Sequence, residues 1–182
     1  MASDRRLILH TEASIGFGGQ ELRIAAEARW LLDHGWEALV AAQPDSRLLD
    51  ETRRLGVPSV GVRMRSALDV SALAALRELI ARRDVALVHT HSSVDSWLGG
   101  LAGRSRGRPV VRSRHVTIPI PRRRGLVYRL AQRVITSGEA AARVVAVAFP
   151  FVRVYAHGPH HCCNLGVAPV LTFVRDAGKE GL

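Results

Sequence analysis

The chain has 182 residues, of which 47% are hydrophobic, and its formal net charge is +10 at pH 7. This length and composition suit a folded globular domain and exclude an intrinsically disordered chain. No apolar run approaches the roughly 20 residues of a membrane-spanning helix, and the first ten residues do not form a signal peptide. The two cysteines are adjacent, which excludes a disulfide framework. We therefore expect a cytoplasmic protein.

The positive charge is concentrated in one block of the sequence. Residues 96–138 contain 10 arginines and neither Asp nor Glu, whereas residues 1–95 have a balance of −1. A compositional bias toward arginine does not explain why the acidic residues are missing from this block. The block therefore predicts an anionic partner, and a membrane surface, a nucleic acid and a phosphorylated substrate remain open as alternatives.

Short apolar runs alternate with helical patterns along most of the chain. Strands are predicted at residues 7–9, 37–42, 57–62, 85–88, 109–111 and 134–136. Helices are predicted at residues 21–34, 46–55, 69–82, 96–102, 125–132 and from about residue 139. Six alternations of strand and helix predict an α/β fold with a doubly wound, Rossmann-like parallel sheet that is covered on both faces.

The alternation stops near residue 146. Residues 146–168 contain two prolines, three histidines and the two cysteines, which is not typical of a strand–helix unit. Histidine and cysteine are metal-binding types, but the adjacent pairs do not match the spacing of zinc ligands, so we expect no metal site. The sequence therefore predicts a Rossmann-like domain over residues 1–145. Residues 146–182 are predicted to be an irregular linker and the first strand of a second domain.

Three separated segments are predicted to meet at one edge of the sheet, because the carboxyl ends of parallel strands share that edge. These segments are the glycine turn at residues 16–19, residues 89–93 and residues 112–115. A glycine turn before a helix can offer backbone N–H groups to a phosphate, although a tight turn alone also requires glycine. The chain lacks the GxGxxG fingerprint and the P-loop motif, which argues against NAD and against P-loop chemistry.

Histidines follow two of these strands. His89 and His91 alternate along one extended segment and should point the same way, and His115 ends the next strand. Histidine can serve as an acid, a base or a hydrogen-bond donor to a hydroxyl or phosphate group. A structural role for each ring is the alternative, but three such residues on one predicted edge favour a functional site.

Four segments together resemble the N-terminal domain of family 4 glycosyltransferases, which have the two-domain GT-B fold. The segments are GFGGQE, DVALVHTHSSVDSWLGGLA, RPVVRSRHV and RVITSGEA, which follow or include the first, fourth, fifth and sixth predicted strands. The resemblance runs from about residue 7 to residue 142 in matching order. It implies that a sugar is transferred from a nucleotide-sugar donor to a glycan or lipid-linked acceptor, with retention of configuration and without a metal or other cofactor.

The resemblance also implies roles for individual residues. Gly18 and Gly19 would offer backbone N–H groups to the diphosphate of the donor, and His115 would be the catalytic residue beside the transferred sugar. The side chains implied to line the acceptor side are His89, His91, Ser92, Asp95 and Arg114.

The family's second domain, which holds the nucleotide through a basic pair and two glutamates, has no counterpart in the sequence. We interpret the chain as a truncated glycosyltransferase whose reading frame is disturbed between about residues 143 and 168, so that the isolated chain has little to hold the donor. The basic region at residues 104–133 could lie on an anionic bilayer, which predicts peripheral attachment at the inner face of the membrane.

Two further classes of function remain open. One is a non-catalytic α/β module that binds a small ligand, and the other is a basic protein that binds nucleic acid. The basic block contains only Trp97 and Tyr128 as aromatic residues and carries no helix-turn-helix or RNA-binding signature. We therefore expect no nucleic-acid partner.

Overall fold

The computed structural model describes residues 7–115, 117–118, 120, 122–149 and 153–156. They form a seven-stranded parallel sheet with helices on both faces, in the order β3-β2-β1-β4-β5-β6-β7. The strands are β1 (Leu7–Glu12), β2 (Glu37–Ala42), β3 (Ser59–Gly61), β4 (Leu87–Thr90), β5 (Val110–Arg114), β6 (Arg133–Thr136) and β7 (Arg153–Ala156). The helices are α1 (Gly19–Asp33), α2 (Arg47–Arg54), α3 (Val70–Arg82), α4 (Ser93–Ser105), a 3-10 helix (Arg122–Leu130) and α5 (Glu139–Ala148). The predicted doubly wound α/β class is confirmed.

Strand β1 lies in the interior of the sheet, third in the order of its seven strands. It pairs with β2 on one side and with β4 on the other, so the order of strands along the sheet changes direction between β1 and β4. The register places His10 beside His89 and Thr11 beside Thr90. Ligands of doubly wound folds bind at the carboxyl edge of such a switch point. The predicted convergence of the three polar segments at this edge is confirmed.

Each strand alternates its side chains between two apolar layers. One layer packs Ile8 and Val111 against α1 and α2. The other layer packs Leu9 and Val88 against α3 and α4. Because both faces of the sheet are covered, the central strands read as continuous apolar runs in the sequence. In β1, β4 and β5, polar residues replace apolar ones at the carboxyl ends of the strands.

Helix α4 lies close to the sheet because glycines face the strands. A Cβ atom on Gly99 would lie 2.9 Å from Oγ1 of Thr11, and one on Gly103 would lie 2.9 Å from Cγ2 of Val110. A larger side chain at either position would push the helix outward. This close approach brings Asp95, in the first turn of α4, to the end of β1.

Strand β7 differs from the prediction, since it lies within the span that the sequence indicated to be irregular. It pairs along the whole of β6, and its four residues are too few to show an alternating pattern between the flanking prolines. Helix α4 also begins earlier than predicted, because the Asp95 carboxylate accepts a hydrogen bond from the Ser92 backbone N–H in its first turn.

The carboxyl-terminal residues 157–182 lie outside the described part of the chain. They include the predicted strand at residues 169–174 and the group of histidines and cysteines. The domain boundary at residue 145 therefore stays a prediction.

Candidate functional site

Two polar layers occupy opposite faces of the sheet at its carboxyl edge. The layer toward α1 consists of His10, His89, His91, Ser113 and His115 and is called the histidine layer below. The layer toward α4 and the 3-10 helix consists of Thr11, Thr90, Asp95, Arg112 and Arg114 and is called the Asp–Arg layer. Both continue the alternation of the strands beyond the point where the apolar cores end.

The rings of the histidine layer are in mutual contact. Nδ1 of His10 lies 3.1 Å from Nε2 of His91, and the ring centroids of His89 and His91 are 4.2 Å apart. The ring of His115 stacks on that of His91 with the centroids 6.1 Å apart. The side chains of His10, His89 and His91 are buried, whereas that of His115 is half-buried. His115 is therefore the member of the layer that is open to a ligand.

His89 is held from both sides inside the protein. Its Nδ1 lies 3.3 Å from Oε1 of Glu27 on α1, and its Nε2 lies 2.8 Å from Oγ of Ser113. Burial alone would raise the pKa of Glu27, but the adjacent His89 lowers it to about 2, so the carboxylate is ionised. The His89 side chain has no exposed surface, and its implied contact with an acceptor stays a prediction.

Burial keeps the other rings of the layer neutral. Desolvation lowers the pKa of His10 to about 4, and it lowers the pKa of His91 well below the usual value. Burial, followed by the positive charge of Arg23, also lowers the pKa of His115 to about 4. A neutral His115 can accept a hydrogen bond or a proton at neutral pH.

Asp95 organises the turn between β4 and α4. Its carboxylate accepts hydrogen bonds from Oγ1 of Thr11 at 3.0 Å and from the backbone N–H groups of His91 and Ser92 at 2.8 Å each. It also accepts one from the Ser92 hydroxyl. Asp95 is completely buried, so its contacts position His91 and Ser92. The implied contact of Asp95 with an acceptor stays a prediction.

Glu12, at the end of β1, holds the glycine turn at both ends. Its Oε1 accepts a hydrogen bond from the Ser14 backbone N–H at 2.7 Å, and its Oε2 accepts one from the Gln20 side chain. Burial, and then the charge of Asp95, raises the pKa of Glu12 to about 7. The sequence analysis missed this residue, although an acidic residue between a buried strand and a glycine turn was an available signal.

The glycine turn is only partly open to a ligand. The Gly18 N–H donates to Oε2 of Glu21 at 2.8 Å, and the Gly16 N–H donates to Oγ of Ser14 at 3.0 Å. Gly19 faces open space, because a Cβ atom there would have no neighbour within 4 Å. The implied binding of a diphosphate by Gly18 and Gly19 stays a prediction, and at Gly18 it requires the Glu21 carboxylate to turn away.

The arginines of β5 are fixed by Tyr128 of the 3-10 helix. Nη1 of Arg114 donates to the Tyr128 hydroxyl at 3.0 Å, and the Arg112 guanidinium lies 4.5 Å from the centroid of the same ring. Arg112 is buried, whereas Arg114 is half-buried. Arg114 can therefore present a positive charge at the carboxyl edge, close to His115. Its implied contact with an acceptor stays a prediction.

Solved structures of other proteins share this fold. HepE of Anabaena, solved in complex with UDP-glucose, is 18% identical with a TM-score of 0.69, and the match covers 84% of this chain and 44% of HepE. A glycosyltransferase from Rickettsia africae ESF-5 is 17% identical with a TM-score of 0.71, over 85% of this chain and 44% of that protein. MurG of Acinetobacter baumannii is 19% identical with a TM-score of 0.60, over 73% and 41% respectively. The chain thus spans less than half the length of these proteins.

Sequence comparison gives a more specific result. No curated protein matches the chain at a significant level. The model of the family described as Glycosyltransferase Family 4 matches residues 17–158, which extend from the glycine turn through β7 and include most of both polar layers. The resemblance inferred from the sequence motifs is confirmed, and the chain belongs to glycosyltransferase family 4.

Proposed function

We propose that the chain forms the acceptor side of a retaining glycosyltransferase that uses a nucleotide-sugar donor. One observation carries the proposal: in a member of this family, the glycine turn, which is open at Gly19, a neutral half-buried His115 and the half-buried Arg114 all lie at the carboxyl edge of the sheet. HepE is similar in fold and binds UDP-glucose, which supports a uridine diphosphate sugar as the donor. The retaining reaction and the acceptor class rest on the family resemblance.

The donor diphosphate is assigned to the glycine turn. Gly19 is the first residue of α1, where the helix dipole favours negative charge, and the space beside its Cα is open. Backbone donors fixed in this way stabilise the charge that develops on the leaving diphosphate without reorganisation. Gly18 contributes a second N–H once the diphosphate displaces the Glu21 carboxylate from it.

The transferred sugar and the acceptor are assigned to the outer ends of the two layers. Nε2 of His115 is buried and has no hydrogen-bond partner among the described residues, so the half-buried ring must turn for this nitrogen to accept a hydrogen bond from a sugar hydroxyl. Arg114 provides donors for acceptor hydroxyl or phosphate groups, and the Ser92 hydroxyl oxygen, which donates its proton to Asp95, can accept a hydrogen bond from an acceptor hydroxyl. His91 stacks behind His115 and fixes its ring plane. His89 and Asp95 act through these residues, because both are buried.

The test is a titration of the isotope-labelled full chain with UDP-glucose, followed by NMR. We expect the Gly18 and Gly19 amide signals and the His115 ring signals to shift, and the amide shifts to recur with UDP but not with glucose. The exposed ring of His34 on the opposite end of α1 should not respond. Unchanged signals for Gly19 and His115 at about 10 mM UDP-glucose, which corresponds to less than roughly 3 kcal/mol of binding, would contradict the assignment.

Transfer itself is measured as UDP release in the presence of glycan and polyprenyl-phosphate acceptors, with a donor-binding domain of a family member added. We expect His115→Ala to reduce the rate by about 100-fold or more, as removal of an acid, base or polar catalyst does. His34→Ala is the matched control and should leave the rate unchanged. An unchanged rate for His115→Ala would remove the catalytic role.

A lipid-linked acceptor is supported by the surface near the 3-10 helix. Ile118 is 68% exposed and Leu126 is 54% exposed, and both lie within the block of the sequence that lacks acidic residues. Exposed apolar residues beside basic ones are typical of proteins that lie on an anionic bilayer. Within the described residues, no helix has the length and apolar character needed to cross a membrane.

Membrane attachment is tested by sedimentation with vesicles. We expect the chain to bind phosphatidylglycerol vesicles but not phosphatidylcholine vesicles, and to lose most of this binding in the double variant Ile118→Ser, Leu126→Ser. Leu68→Ser is the control, because Leu68 is 89% exposed but lies outside the basic block. An equal loss of vesicle binding in the double variant and in Leu68→Ser would show that the surface near the 3-10 helix is not the membrane-binding site.

A further inference from the structure

Three buried histidines pack together at the carboxyl ends of β1 and β4, and each has one ring nitrogen without a hydrogen-bond partner among the described residues. The unpartnered atoms are Nε2 of His10, Nδ1 of His89 and Nδ1 of His91. One ligand nitrogen from each of these rings lies within 4.8 Å of the others, and none of the side chains is more than 4% exposed. Three imidazole nitrogens this close together in a buried site match the donor set of a transition-metal ion.

We propose that His10, His89 and His91 bind a first-row transition-metal ion, with Zn²⁺ as the ion that the donor set suits best. Imidazole nitrogen is a good ligand for zinc, copper and nickel, whereas Mg²⁺ and Ca²⁺ prefer oxygen. The ion would lie behind His115, because its ligand His91 stacks on that ring, and it differs from the metal-free expectation of the sequence analysis.

Glu27 supplies the negative charge that a divalent ion requires in this apolar surrounding. Its Oε1 is buried, lies 3.3 Å from Nδ1 of His89 and has no hydrogen-bond partner. A carboxylate beside a ligating imidazole orients the ring and strengthens metal binding. The ion would thus connect α1 with β1 and β4.

The first experiment measures zinc retained by the full chain after dialysis at pH 7.5. A background variant removes the competing ligands of the carboxyl-terminal segment, which are His157, His160, His161, Cys162 and Cys163. In this variant Gln replaces each of these three histidines and Ser replaces each of the two cysteines, while all other histidines are kept. We expect about one Zn²⁺ per chain, and a higher melting temperature with Zn²⁺ but not with Mg²⁺. Retention of less than about a tenth of an equivalent would overturn the proposal.

Substitutions in the same background locate the ion. His91→Asn should lower the zinc affinity by more than about 10-fold, and Glu27→Gln should lower it by about 10-fold to 100-fold. His34→Asn is the control, because His34 is exposed and stacks on Trp30 away from the cluster. Equal zinc binding by His91→Asn and the background chain would overturn the proposal.

A second measurement keeps the proposal testable if the substituted chains do not fold. The ring signals of all histidines are recorded by NMR in the folded background chain, with and without one equivalent of Zn²⁺. We expect the signals of His10, His89 and His91 to move to new positions, while those of His34 stay unchanged. Zinc-induced shifts confined to other histidines would place the ion elsewhere and overturn the proposal.

Discussion

Oγ1 of Thr11 donates a 3.0 Å hydrogen bond to Oδ2 of Asp95, which links an interior strand of the sheet to the first turn of α4. The same carboxylate caps the turn that carries His91 and Ser92, so a residue with no exposed surface determines where two candidate ligand-binding side chains lie. The chemistry at the edge of the sheet therefore depends on a contact inside it.

Replacing Asp95 should be costly for stability. Asp95→Ala leaves buried N–H and O–H donors unpaired, and we expect a loss of roughly 3 kcal/mol in the free energy of unfolding. Thr11→Val removes one donor and should cost about 1 kcal/mol. Glu78→Ala is the control, because the exposed ion pair of Glu78 with Arg82 contributes less than about 0.5 kcal/mol. Urea unfolding measures all three, and a loss for Asp95→Ala as small as the control would refute this account of the turn.

Gly99 should tolerate no side chain. The Cβ of Gly99→Ala would meet Oγ1 of Thr11 at 2.9 Å and Cγ2 of Thr90 at 3.1 Å, so α4 must move away from the sheet. We expect a loss of about 1–3 kcal/mol in thermal or urea unfolding. Gly19→Ala is the matched control, since it meets no atom within 4 Å and should be neutral or stabilising by up to about 1 kcal/mol. Similar losses for both variants would contradict the close approach of α4.

Glu12 should make the protein less stable as the pH rises. Its folded pKa of about 7 lies above the ordinary value of 4.5, so the folded state binds the proton more tightly than the unfolded state. The contribution of Glu12 to stability is therefore full below pH 4.5 and is lost as the pH rises through 7. In the wild type this effect should lower the free energy of unfolding by roughly 1–3 kcal/mol across this pH range, and Glu12→Gln should remove that decrease. Urea titrations at several pH values, with Glu37→Gln as an exposed control, measure the difference, and parallel pH profiles for the wild type and Glu12→Gln would count against it.

His115 should act in the opposite direction. Its folded pKa of about 4 lies below the ordinary value of 6.5, so its contribution is full above pH 6.5 and is lost as the pH falls through 4. Between pH 5 and 6, His115→Gln should reduce the slope of unfolding free energy against pH by about 1.4 kcal/mol per unit. The same urea titrations provide the measurement, with His34→Gln as the control. An unchanged slope would mean that His115 is solvated in solution.

The parts of the fold that follow from local pattern were predictable. β2 and β4 are apolar runs with glycine or polar residues at their ends, and the shared edge of a parallel sheet brings His91 and His115 together from separate segments. The contacts that complete the site were not predictable, because they join distant elements. Glu27 meets His89 only when α1 packs on β4, and the available signal was a charged residue between Ile24 and Leu31 on the buried face of α1.

β7 and Glu12 illustrate two further limits. A four-residue strand is defined by its pairing with β6, and that pairing leaves no pattern in so short a sequence. The raised pKa of Glu12 results from burial and from the approach of Asp95, which is 83 residues away in the chain. Charge and burial at such a site depend on tertiary packing, so the sequence can suggest the residue but not its protonation state.

The interior position of β1 also has a consequence for biosynthesis. The first three strands are made before residue 62 and can pair as soon as they leave the ribosome, but the second edge of β1 has no partner until β4 emerges about 25 residues later. During this interval His10 and its neighbours lie along an open strand edge, which can pair with another nascent chain. Slow translation through residues 62–90 would prolong this exposure, so the codons of α3 should influence the yield of native protein without changing the sequence.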